Sequence, residues 1–183
     1  SEIRKTKQNK KYLPGINIPE SINIKDEILP CLANSSSVLL CVKSTGFKKI
    51  AAELNNHMGP EQKLIWATKG LDPDTGETFS ETIKKKMPSL NKTAIISGPT
   101  FAEEVAKGKP TAITLASENI QELSGLASAM SSSSFRVYTS NDIVGVQLGG
   151  AFKNIIAIAA GASDALNLGA NARTALISRG LEE

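Results

Sequence analysis

The chain has 183 residues, 40% of them hydrophobic and 21% charged, with a formal net charge of +3. That length and balance fit a globular protein with one ordinary domain and part of a second. They argue against a nucleic-acid or anionic-membrane binder, against a membrane span of ~18 apolar residues, and, with His57 the one histidine, against a His-based metal site.

Residues 1–12, SEIRKTKQNKKY, are polar and basic and read as a nucleic-acid arm or, better suited to the modest total charge, a solvated helix end. Leu13-Pro14-Gly15 breaks the chain, and Ile16, Ile18, Ile22 and Ile24 alternate with polar residues as in short extended segments. A short helix is predicted over 25–34, interrupted by Pro30. Cys31 and Cys41 stand beside apolar runs with no secretory signal ahead of them, so free buried thiols in a reducing cytoplasm are expected. SVLLCV over 37–42 is a buried strand, followed by an amphipathic helix over 45–58 that Gly59-Pro60 stops. KLIWAT over 63–68 is the next strand, and the cluster 72–76 is a turn. A helix over 77–87, a strand over 93–97, a helix over 100–107, a strand over 111–116, a helix over 118–131 and a strand over 135–139 follow. One long, mostly apolar helix then runs from Asn141 to Gly161, with Asp142 as its N-cap.

Short apolar strands alternating with helices indicate a sheet covered on both faces. The expected fold is therefore α/β: an incomplete Rossmann-like, mostly parallel sheet over residues 1–140, then the start of an all-α domain over 141–183. Ligands of such sheets bind past the carboxyl ends of the strands, which places the chemistry just after Val42, Thr68, Ser97 and Thr139. The strand and G-x-G-x-x-G turn that normally open a nucleotide-binding sheet are absent, and the chain stops at SRGLEE inside a helix. Both ends look cut.

Lys153 is the single cation of the long helix, with small neighbours Gly149, Gly150, Ala157 and Ala160 at helical spacing. It has two readings. It snorkels to water along its own methylenes, or it is a desolvated amine that gives and takes a proton near neutral pH. Lys69 follows a strand and precedes Gly70, a place where a lysine meets an anionic ligand or simply lies at a surface turn. Gly98 lets the backbone approach a ligand, and Thr100 with Glu103 fits a capping box that would aim free amide groups at a phosphate. Tyr138 and Asp164 are further polar groups near or on the long helix, and Asp164 either lines the same groove as Lys153 or is solvated.

The segments KYLPG (11–15), WATKG (66–70), SGPTFAEEVAKGKPT (97–111), RVYTSNDIVGVQLGGAFKNIIAIAAG (136–161) and GANARTALISRGLEE (169–183) together resemble bacterial NAD(P)-dependent glycerol-3-phosphate dehydrogenase. No single segment is specific; the combination of ATKG, SGPTFA and GGAFKN is. The resemblance implies reduction of dihydroxyacetone phosphate to sn-glycerol 3-phosphate for phospholipid synthesis, with NAD or NADP as cofactor, in the cytoplasm. It implies that Lys153 is the proton donor and acceptor and touches the substrate, and that Lys69 contacts both cofactor and substrate. It implies substrate contacts for Gly98 and Thr100 and a cofactor contact for Ala102. Members of that family commonly form homodimers; they need no metal, nucleic acid or membrane span. The family's N-terminal glycine fingerprint and its C-terminal phosphate-binding segment are not in this sequence, so the resemblance makes the chain a fragment with an incomplete cofactor site. NAD versus NADP preference stays open.

Two other readings remain beside it. A beta-hydroxyacid dehydrogenase also carries a lysine on a long interdomain helix, though ATKG and SGPTFA argue against it. A non-catalytic binding module built on a decayed nucleotide-binding fold would account for the absent glycine turn.

Overall fold

The computed structural model describes residues 1–182. The expected run of the last helix to the chain end includes Glu183, which lies outside the described residues. The basic N-terminal stretch forms α1 (Glu2–Thr6), capped by the Ser1 side chain. Its cations find local partners: Lys7 donates to the Ile22 carbonyl at 3.0 Å, and Arg4 pairs with Asp26. The extended segments expected over 16–24 reduce to one bridge between Gln8 and Asn17. α2 is only Leu29–Leu32, with Pro30 in its first turn. A proline there loses no hydrogen bond, so Pro30 helps begin this helix rather than interrupting one.

The remaining elements follow the predicted alternation: β1 (Ser37–Leu40), α3 (Ser44–Asn55), β2 (Lys63–Trp66), α4 (Phe79–Lys86), β3 (Thr93–Ser97), α5 (Ala102–Ala106), β4 (Thr111–Ala116), a 3-10 turn (Ile120–Leu123) leading into α6 (Ser124–Met130), β5 (Phe135–Ser140), α7 (Ile143–Ala165) and α8 (Gly169–Glu182). β1 and β2 end two residues early. Beyond them one more backbone bond, from Ala67 N–H to the Leu40 carbonyl at 3.0 Å, and then the Thr68 side chain, whose Oγ1 donates to the Val42 carbonyl at 2.8 Å, join the chain. α4 starts at a full capping box of Thr78 and Glu81, a T-x-x-E signal that the expected start at Glu77 passes over.

The five strands lie in the order β1-β2-β3-β4-β5. β1, β2 and β3 are mutually parallel, β4 runs antiparallel to β3, and β5 is parallel to β4. The sheet is thus mostly parallel and Rossmann-like, with one reversal. That reversal corrects one expectation: the carboxyl end of β5, at Thr139, lies at the edge opposite the carboxyl ends of β1, β2 and β3.

The strand period of two divides the core between the faces. Leu64, Trp66 and Ile95 join Phe47 and Ala51 of α3 and Phe79 and Ile83 of α4 in one cluster. Their neighbours Ile65 and Ala94 join Leu115, Leu123 and Ala127 on the other face. Phe47 anchors the larger cluster, stacked at 4.2 Å on Phe79 and edge-on to Trp66 at 6.2 Å.

α7 is capped by Asp142, whose carboxylate accepts from Gly145 N–H at 2.7 Å. It packs on the body through Ile143, Gln147 and Gly150, spaced i, i+4, i+7 on one face. α8 packs along another face, where Gly180 lies against Ile156, while Phe152, Ile155 and Ile158 are exposed. α7 is long and apolar enough to cross a membrane, a test that the core helix of a soluble protein also passes. The helix contains no unbroken apolar run of that length, because Gln147, Lys153 and Asn154 interrupt it. Cys31 and Cys41 are free thiols, but exposed rather than buried, because β1 is an edge strand and α2 a surface turn.

Candidate functional site

The site forms where α7 crosses the carboxyl edge of β3. α7 begins at the far edge, beside the end of β5, and runs back across the sheet. Ten residues of helix from Ile143 reach Lys153 over about 15 Å. This brings Lys153, Val146, Gly149 and Gly150 against Ser97, Gly98, Pro99 and Thr114, around a cavity of about 330 Å³.

Glycine makes the approach possible at two points. A Cβ on Gly98 would sit 2.7 Å from the Ala112 carbonyl oxygen and 3.0 Å from Ile113 Cα, both backbone of β4. A Cβ on Gly150 would sit 2.9 Å from Ser97 Oγ and 3.8 Å from Lys69 Cγ. So Gly98 seats the turn after β3 on β4, and Gly150 seats α7 on that turn.

Lys69 reaches the same turn from β2. Its Nζ donates to the Gly98 carbonyl at 2.8 Å. It also lines a smaller recess of about 50 Å³ with Ser97, Gly98, Thr100, Ile113 and Phe135. Burial, and after it the repulsion of Lys153, push the Lys69 amine below the ordinary lysine value. The ion pairs of the protein involve neither Lys69 nor Lys153 among the described residues. Two cations at one strand edge, neither held in an ion pair, favour an anionic ligand.

Lys153 itself is exposed on α7. It stands on a stretch of α7 that the described residues leave open, so they do not bury the amine as the sharper sequence reading expects. Thr100 does not cap α5. The cap position falls on Phe101, with no side-chain hydrogen bond, and Thr100 Oγ1 turns back to the Gly98 carbonyl at 3.5 Å. Glu103 pairs instead with Lys107. The capping-box expectation fails because the helix starts two residues late, after Phe101 has taken extended backbone. Ala102 opens α5, exposed, and lines neither cavity. Asp164 is not in the groove of Lys153; it pairs with Arg173 of α8 at 3.4 Å and lines a separate recess with Asn167 and Gly169. Tyr138 lies towards the far end of β5. Ser97, Thr114 and Val146 line the site without a sequence signal beyond the strand end and the helix face. Among the described residues no group of three or more His, Cys, Asp or Glu is placed to hold a metal ion.

A mostly parallel sheet with cations at its carboxyl edge and a long helix laid across that edge defines a Rossmann-like α/β protein. Residues 1–123 match the family model described as NAD-dependent glycerol-3-phosphate dehydrogenase N-terminus, and residues 142–183 match the C-terminus model of the same family. The chain belongs to the NAD-dependent glycerol-3-phosphate dehydrogenase family. It is 46% identical over 178 residues to glycerol-3-phosphate dehydrogenase (NAD(P)+) of Nitrosococcus oceani, covering 97% of this chain and 52% of that protein. It is 44% identical over 182 residues to the Pasteurella multocida protein of the same name, covering 99% and 54%. Among solved structures, glycerol-3-phosphate dehydrogenase from Coxiella burnetii superposes with a TM-score of 0.90 at 36% identity, over 99% of this chain and 55% of that one. The chain spans about half the length of the curated relatives it matches.

Proposed function

We propose that the protein to which this chain belongs reduces dihydroxyacetone phosphate to sn-glycerol 3-phosphate, with NADH or NADPH as the reductant. The observation that carries this is the convergence of Lys69 and Lys153 on the Ser97–Gly98 turn, in a chain of this family.

The residues fit the reacting end of a nicotinamide site. A cavity of about 330 Å³ accepts a three-carbon substrate beside a flat ring, and the glycines keep its walls low. The nicotinamide supplies the hydride when bound. Lys153 Nζ then gives a proton to the oxygen of the carbon being reduced, and takes it back in the reverse direction. Lys69 holds the substrate's charge while its own hydrogen bond to Gly98 fixes where its amine sits. Gly98 and Thr100 contact the substrate in this reading, and Ala102 contacts the cofactor.

The division into a cofactor domain over 1–140 and a helical domain from 141 is part of the same proposal. The two family matches, ending at 123 and beginning at 142, support it. A role in glycerophospholipid synthesis, a cytoplasmic location and a homodimer complete it.

The test is a substrate panel on the whole protein. NADH and NADPH oxidation are followed with dihydroxyacetone phosphate and with 3-oxo acids. Turnover of dihydroxyacetone phosphate supports the proposal. A preference for 3-oxo acids would assign a beta-hydroxyacid dehydrogenase, and silence with every substrate a binding module.

A further inference from the structure

α7 is joined to the body by a buried polar link whose Gln147 does not line the cavity but follows Val146, which does. Gln147 is 2% exposed and Ser80, on the first turn of α4, is 7% exposed. The Ser80 N–H donates to Gln147 Oε1 at 3.0 Å. Gln147 Nε2 donates to Ser80 Oγ at 2.8 Å and to the Ile143 carbonyl at 3.2 Å. First-turn amides such as that of Ser80 have no acceptor inside their own helix. Here the acceptor comes from another helix, 67 residues away.

Apolar packing tolerates a helix that turns or slides slightly; paired hydrogen bonds with fixed directions do not. An apolar side chain of similar size would fill the same space but leave the Ser80 N–H buried without its acceptor, and Ser80 Oγ with only Thr78 Oγ1, at 3.0 Å. The link is therefore suited to setting rotation and axial position, not merely to filling the core. Gly150 and Lys153 stand three and six residues further along the same helix. Lys153 is about 9 Å along the axis from Gln147, so any turn or slide at Gln147 is carried directly to its amine.

We propose that Gln147 is a positioning residue. Its paired hydrogen bonds to Ser80 set α7 against α4 and thereby place Lys153 Nζ at the Ser97–Gly98 edge. This rests on the role given to Lys153 above. It accounts for a polar, two-handed side chain where the buried face of α7 otherwise needs only bulk or smallness.

Two readouts test it on the whole protein, one of them independent of activity. Spin labels are placed at Ile158→Cys on α7 and Lys86→Cys on α4, both exposed, with Cys31 and Cys41 replaced. The distance distribution is then measured with Gln147 and with Gln147→Met. The expected result is a narrow distribution that broadens or shifts in Gln147→Met, together with a loss in kcat larger than any change in KM. A displacement of ~1 Å is expected to cost on the order of 10²-fold. Gln147→Glu should recover part of both: its carboxylate still accepts from the Ser80 N–H and O–H at the start of α4 but loses the donation to the Ile143 carbonyl. If Gln147→Met does not fold, Ser80→Ala gives the same comparison in weaker form. An unchanged distance distribution in the folded variants overturns the proposal. A broadened distribution with unchanged kcat also overturns it, since Lys153 then does not depend on the link. A whole protein without activity removes the Lys153 role, while the distance measurement still decides whether Gln147 sets α7.

Discussion

The Lys69 ammonium donates to the Gly98 carbonyl at 2.8 Å, tying the carboxyl end of β2 to the turn after β3. That bond holds one of the two site cations at a fixed point, beside the helix that brings the other. Burial first, and Lys153 second, lower the Lys69 pKa below the ordinary value of 10.5. The charged form is thus disfavoured in the folded chain. The resulting destabilisation is full at pH below the folded pKa and is relieved as pH rises from there to the unfolded value. An NMR titration with labelled lysine should show one amine titrating early, and Lys153→Ala should move it up by removing the repulsion. A Lys69 that titrates as an ordinary surface lysine would show that the two amines do not share a site.

Gly98→Ala should be costly. The added Cβ meets backbone at 2.7 Å and 3.0 Å, and β4 cannot turn aside as a side chain can. Overpacking of this kind costs ~1–3 kcal/mol. Thermal or urea unfolding should show the loss, and ligand affinity should fall with it as the turn is displaced.

Gly150→Ala should be milder, and curable. Its Cβ meets Ser97 Oγ at 2.9 Å, a single side-chain atom. Removing that atom with Ser97→Ala should restore stability, giving a double-mutant coupling of at least ~0.5 kcal/mol. Additive effects would mean that α7 does not approach β3 as described.

Acid should loosen the loop that follows Lys69. Asp72 is 2% exposed and accepts from the Asp74 and Thr75 amides at 3.0 Å and 3.1 Å. Lys48 pairs with it at 3.2 Å. Burial alone raises its pKa, but the amide hydrogen bonds and Lys48 outweigh that and hold the carboxyl below its ordinary 3.8. Its contribution to stability is therefore complete above the unfolded value and lost as pH falls through the folded one. The melting temperature should drop below about pH 4, and Asp72→Asn should flatten that drop.

Much of this was legible in the sequence, for physical reasons. The five strands announced themselves because a sheet covered on both faces needs unbroken apolar runs, as in SVLL and TAIIS. Asp142 was readable as a cap because it directly precedes a long apolar helix. The reversal between β3 and β4 was not readable. Strand direction is set by which connection closes, and the segment between Ser97 and Thr111 carries no sign of its sense. Thr100 misled because a capping box needs the helix to start there, and tertiary packing of Gly98 on β4 delayed it. Lys153 and Lys69 were singled out from their places on the chain. Their meeting at Gly98 was not readable, since it depends on α7 running back across the sheet from the far edge. The Gln147–Ser80 link was equally hidden, being formed by residues 67 positions apart.

The central claim is that Lys153 handles the proton. Its most direct test is Lys153→Ala in the whole protein, with the rate of dihydroxyacetone phosphate reduction and the affinity for the nicotinamide cofactor measured together. A fall in kcat of ~10²–10⁴ with cofactor affinity retained is expected. A Lys153→Ala enzyme that keeps the wild-type kcat would contradict it.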